Sequence, residues 1–196
     1  MAYVPLASGT DYLRSTVTAD EVEIQAAFTA AEAGVNAYCQ RTFTVPTAAT
    51  TRTFVTHDAY TLDVPDIANT TDLVVSNNGS TVAAGSRQLE IAPGVPGPVG
   101  VDGRTWPYIR IRLLSGTWAV DSSGEALVSI TARWGWAAIP SEVELATKLL
   151  ARDYLLARDT GFGIVQVGDF SRRVAANGVV TDLLSPLRRA ESFGIA

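Results

Sequence analysis

The spacing of apolar positions changes twice along this chain. Over residues 19–40 it is helical. Placed at intervals of about 100°, Ile24, Ala27, Phe28, Ala31, Val35, Tyr38 and Cys39 fall within one arc, which predicts an amphipathic helix with one buried face. Thr18-Ala19-Asp20-Glu21 reads as its capping box, with acids suited to the positive helix end. Gly34 inside the helix reads equally as close approach of another helix or as simple tolerance. In the lead-in, residues 1–17, TDYLRST suits a short helical turn.

From Phe43 to Arg133 the pattern becomes that of strands. Thr51–Thr56, Tyr60–Val64, Asp72–Ser76, Gln88–Ile91, Tyr108–Leu114 and Leu127–Trp134 are short and rich in β-branched or aromatic residues. In IRIRLL, Arg110 and Arg112 share one face while Ile109, Ile111 and Leu113 share the other. Asn77-Asn78-Gly79-Ser80 supplies the positive-φ residues of a hairpin turn. APGVPGPVGVDGRTWP, over 92–107, reads as a loop. Such a run of short antiparallel strands predicts a small sandwich or barrel.

The helical period returns over 141–158. Ile139-Pro140 should end the strand side, because a residue before proline is pushed out of helical geometry. Ser141 with Glu144 reads as a second capping box. Val143, Leu145, Ala146, Leu149, Leu150, Tyr154, Leu156 and Ala157 cover nearly half the wheel, wider than the roughly 100° stripe of a surface helix. Asp153 falls inside that arc and Leu155 alone on the polar side. A carboxylate there needs a partner, for which Arg41 is the candidate, and Leu155 becomes a candidate for a subunit interface. Beyond Asp159, Ile164–Gly168 and Arg172–Ala176 suit a hairpin or arm. Val179–Arg189 reads as a short helix capped by Asn177 or Thr181 and interrupted by Pro186.

The expected architecture is therefore α+β. Residues 1–43 and 136–159 form a small helical core, 44–135 an inserted antiparallel β-sandwich or barrel, and 160–196 a C-terminal arm with a short helix. Composition agrees with a folded chain: of 196 residues, 47% are apolar and 18% charged. No run approaches a membrane span of roughly 18 uncharged apolar residues. MAYVPLASGTDYL lacks a basic region followed by an apolar one, so synthesis in a cytoplasm is expected. A net charge of −5 argues against gripping nucleic acid over the whole surface. The arginine pairs 172–173 and 188–189 suit phosphate or acidic protein surfaces, or simply solvent.

Catalytic patterns are missing from the sequence. Cys39 and His57 are each the single residue of their kind, which leaves a Cys/His zinc site short of ligands. His57 reads as an exposed loop residue, and Asp63, Asp66 and Asp72 as strand-end or turn acids whose spacing fits no calcium loop. Trp106, Trp118, Trp134 and Trp136 suit core packing. The rival reading has them stack on sugars in a carbohydrate-binding module of a phage tail or cell-surface protein. No enzyme activity, cofactor or metal is expected.

Several segments, in order, carry a resemblance. Tyr38-Cys39-Gln40-Arg41-Thr42-Phe43 ends the first helix and Leu62-Asp63-Val64-Pro65-Asp66-Ile67 follows. Val128 to Trp136, Ile139-Pro140, a long Ala/Leu helix and Leu183-Leu184-Ser185-Pro186-Leu187-Arg188-Arg189 complete it. The pattern resembles the head–tail connector, or adaptor, proteins of long-tailed bacteriophages. That resemblance implies a structural virion protein at the head–tail neck, made in the host bacterial cytoplasm. It implies a ring of identical copies, dodecameric on the portal, which also meets a tail-side completion or tail-terminator protein. DNA would pass through the lumen without sequence-specific binding, and no membrane is involved. The C-terminal arm would reach the portal, which makes Arg172, Arg173, Leu183, Leu184, Pro186, Leu187, Arg188 and Arg189 candidates for docking. On that reading, a chain lacking 160–196 should still fold.

Overall fold

The computed structural model describes residues 2–14, 19–119, 127–159 and 178–189. The described residues divide into two compact units, one made of those up to Phe43 and from Ile139 onward, the other of Thr44–Ala138.

The first unit is helical. Its elements are α1 (Leu6–Arg14), α2 (Glu21–Cys39), α3 (Ser141–Asp159) and α4 (Gly178–Leu184), with a 3-10 turn over Ser185–Leu187. Helix α2 starts later than the sequence pattern suggests. Its N-cap is Asp20, whose Oδ1 accepts the Glu23 amide at 2.8 Å while Glu23 Oε2 accepts the Asp20 amide at 3.2 Å. The box is thus Asp20/Glu23 instead of Thr18/Glu21, which leaves both glutamates in the first turn, near the positive helix end. Gln40, at φ 52°, ends the helix in the left-handed region.

The second predicted box shifts as well. Pro140 O already accepts the Glu144 amide at 3.3 Å, so Ser141 is inside α3 and its hydroxyl donates to Glu142. Helix α1 is a full element instead of a single turn. Its Gly9 lies against the Phe28 ring of α2, where an added Cβ would come within 2.5 Å of Phe28 Cζ. Ahead of it, Tyr3 is buried: its hydroxyl accepts the Phe43 amide at 2.9 Å and donates to Asn36 Oδ1. The lead-in thus ties down both the helical face of α2 and Phe43, at the end of the segment that leaves it.

The second unit holds two four-stranded antiparallel sheets, ordered β1-β8-β3-β4 and β2-β7-β5-β6. The strands are β1 (Thr50–Phe54), β2 (Thr61–Ile67), β3 (Val74–Asn77), β4 (Ser80–Thr81), β5 (Arg87–Ala92), β6 (Val95–Pro96), β7 (Tyr108–Leu113) and β8 (Val128–Ala132). Two sheets with distinct orders exclude the closed barrel. Leu62, Val64 and Ile111 from one sheet and Val75, Val128 and Ile130 from the other share a single apolar cluster.

Turn chemistry fixes the registers. Asn78 (φ 48°) and Gly79 (φ 76°) close the β3–β4 hairpin, with Asn77 opposite Ser80. Pro65, which has no amide to donate, sits at the irregularity between Asp63 and Ile67 where the β2–β7 ladder shifts. The Gly/Pro-rich segment is more regular than a plain loop. It contributes β6, and beyond it Val99 pairs with Thr105 while Asp102 Oδ1 accepts the Trp106 indole N–H at 3.1 Å. Asp102 is held below the usual carboxylate range by the Arg104 amide first and by that indole second.

The stretch after β8 is stitched within this unit. Gly135 N–H donates to Asp66 O at 2.7 Å and Trp136 N–H to Thr44 O at 2.8 Å. The buried Asp66 Oδ2 accepts the Trp136 indole N–H at 3.0 Å. Gly135 sits at φ 136°, and the Thr44 carbonyl occupies the place a Cβ would take, so this position requires glycine.

Candidate assembly surface

The C-terminal candidates separate by burial. Val180, Leu184 and Leu187 are buried in the helical unit, where α4 packs on α3 and α2. Their spacing of four and three places them on one helical face. Leu184 and Leu187 are therefore core residues and are removed from the docking candidates. Leu183 is half-buried, while Pro186 and Arg188 are exposed. Arg189 donates its backbone N–H to Cys39 O at 2.9 Å, and the Arg188 guanidinium lies 5.8 Å from the Tyr38 ring centroid. This segment thus closes over the end of α2, so a chain lacking 160–196 would lose part of its core. Arg172 and Arg173, and the arm expected around them, lie outside the described residues.

Cys39 is buried at that same helix end. Burial pushes its thiol up to about 12, against the opposing pull of the Arg41 and Arg188 guanidiniums.

Helix α3 corrects the helical-wheel reading. Its packed face is Val143, Ala146, Thr147, Leu150, Ala151, Tyr154 and Leu155. Leu155 is only 4% exposed, whereas Asp153 is exposed. The full set of apolar residues on α3 spans two faces. The packed face lies on one side and Leu145, Leu149 and Leu156 lie opposite it. Leu145 and Leu156 remain 44% and 38% exposed, and Leu149 is half-buried. Asp153 borders this outer leucine row and is exposed, not enclosed by apolar neighbours as the wheel suggests. Arg152, the one charged residue within the row, has its Nε buried without a hydrogen-bond acceptor. These leucines were in the sequence; the signal that would have separated them is the second, weaker stripe opposite the first.

The β unit's candidates are structural. His57 is exposed in the segment after β1. Asp58 accepts the Tyr60 and Thr61 amides at 2.8 and 2.7 Å, which together hold its carboxyl below the usual range. Asp63 pairs with Arg110, and Asp72, itself at φ 61°, with Arg133 at 2.8 Å. Trp118, Trp134 and Trp136 are buried and Trp106 half-buried, its ring 5.7 Å from that of Trp136. The open stacking platform that sugar binding would need is not formed by these four rings. Among the described residues there is no group of three His, Cys, Asp or Glu able to hold a metal, and no helix long and apolar enough to cross a membrane.

No protein-family model and no curated protein matches the sequence. The fold does have solved counterparts. A chain from the neck of an empty gene transfer agent particle, computed with C6 symmetry, superposes with a TM-score of 0.58 at 19% identity, over 98% of this chain and 92% of that one. A chain from the virion of a native gene transfer agent particle gives 0.52 at 21% identity, over 98% and 92%. One from the neck of the native particle, computed with C12 symmetry, gives 0.52 at 18%, over 97% and 94%. The chain therefore shares its fold, along nearly its whole length, with these particle components.

Proposed function

We propose that this protein is a structural component of a phage-like neck. Copies assemble into a ring that joins the portal of the head to the tail and extends the channel for DNA. The observation that carries this reading is the likeness to neck chains over 92–94% of their own length, in particles computed with C6 and C12 symmetry. It supports a ring that is dodecameric where it meets the portal.

The mechanism is assembly, not catalysis. The outer leucines of α3 supply apolar surface for contact between copies. Pro186, Arg188 and Arg189 form a docking surface for the portal together with Leu183 and the arginines at 172 and 173, with arginine forks pairing to carboxylates. A tail-side completion or tail-terminator protein covers the opposite face of the ring. The net charge of −5 suits a lumen that repels phosphate and lets DNA slide.

The experiment is co-sedimentation of the full chain with the portal of the same particle. Retention of wild type and weakened retention of Arg188→Glu are expected. Equal retention of both chains would remove Arg188 from the docking surface, and no retention of either would sink the reading.

A further inference from the structure

Helix α2 carries a face that the described residues of its own unit leave uncovered. Ile24, Ala27, Phe28, Ala31, Gly34, Val35 and Cys39 are its buried side. On the opposite side lie Val22, Ala26, Ala30, Ala33 and Ala37, of which all but the half-buried Ala30 are exposed. At about 100° per residue these five span roughly 80° of the wheel, and no charged residue falls among them. A solvent-facing helix side normally carries charge. This one carries four alanines at successive steps of four, three and four.

Helix α3 carries the counterpart. Leu145, Leu149, Arg152 and Leu156 follow the same steps on the side opposite its packed face. Large side chains on one helix and methyl groups on the other, in equal spacing, are what two helices need to interlock at close range. Both helices are already packed together through their inner faces, so one copy cannot bring its own outer faces into contact.

We propose that the leucine row of α3 in one copy docks on the alanine face of α2 in the next copy, with the two helices antiparallel. This rests on the ring reading above and names the contact that builds it. A leucine row meeting its own equivalent would leave the alanine faces bare and place two Arg152 side chains in one seam. Leucine on alanine uses both faces once per copy. Such a contact is head-to-tail, and head-to-tail contacts close into rings when the rotation permits.

The direction follows from charge. The first turns of both helices are acidic, Glu21 and Glu23 in α2 and Glu142 and Glu144 in α3. Parallel docking would set these acids side by side. Antiparallel docking separates them, sets the positive end of each helix beside the negative end of the other, and brings Arg41, which follows α2, toward Glu142 and Glu144 of the next copy. One such seam engages far fewer than the roughly 20–30 residues a side of a stable specific interface. Pairs of copies therefore meet weakly and closure of the ring holds them.

Disulfide trapping tests this on the full chain, because the native Cys39 thiol is buried and stays silent. The double variant Ala33→Cys/Leu149→Cys, oxidised at high concentration, should give a ladder extending beyond dimer. Neither single variant should give any. Ala26→Cys/Leu156→Cys should also ladder and Ala37→Cys/Leu156→Cys should not. Light scattering on the same samples separates the two levels of the claim, and thermal melts check that the variants fold. Oligomers without a ladder, or dimers from a single variant, would overturn the face assignment and leave the ring standing. A ladder from the Ala37 pair in place of the Ala26 pair would overturn the direction. Monomer throughout, with no ladder, would overturn contact and ring together.

Discussion

Asp153 and Leu155 stand two positions apart on α3, and their environments are the reverse of what the sequence pattern suggests. The helical wheel assigned one arc to all the apolar residues, and its midpoint fell between two real faces. Rotation by a single residue, about 100°, is enough to exchange a core position for an exposed one. With Asp153 in solvent, Asp153→Ala should change stability by less than about 1 kcal/mol, as for exposed charges generally. Urea denaturation checks this; a loss of several kcal/mol would restore the buried pair. The Cys39 thiol gives a second residue-scale prediction. Its ordinary value is 9.0 and burial raises it to about 12 in the folded chain. Between those values the folded state holds the proton that the unfolded state has released, so Cys39 makes stability fall as pH rises from 9 toward 12. Thiol reagents at pH 8 should label Cys39 only as the chain unfolds, and rapid labelling under native conditions would contradict its burial.

At the scale of elements, the long strands and helices were legible because each is long enough to display its period. The two-residue strands β4 and β6 were not, since two residues carry no alternation. Helix caps were legible as a type of signal and misplaced in register, because Thr18, Asp20 and Ser141 are all competent caps and packing chooses among them. The most consequential change concerns α4. From sequence it belongs to an arm without a core of its own; folded, it lends Val180, Leu184 and Leu187 to the helical unit. What hid this is the sequence distance: its partners on α2 lie more than a hundred residues earlier, and no local pattern announces such a contact. Leu184→Ala should cost about 2–5 kcal/mol, the range for emptying a core leucine position. An equilibrium unfolding series measures it, and a cost under about 0.5 kcal/mol would return α4 to the surface.

For the molecule as a whole, the bland chemistry is informative. The four tryptophans, the turn carboxylates and the single histidine are each accounted for by packing, turns or exposure. Part of the apolar surface that packing leaves over lies on two helices, in rows matched in spacing and different in size. The core residues were thus readable from the sequence where one face dominates a helix, and the assembly surface was not, because a second apolar face is hidden within the first on any wheel. Electron microscopy of the full chain mixed with the portal of its particle tests the central claim most directly. The account predicts a closed ring stacked on the portal and coaxial with it, with the α2–α3 seam repeated between neighbouring copies. Portals without added density, beside a chain that stays monomeric, would contradict it.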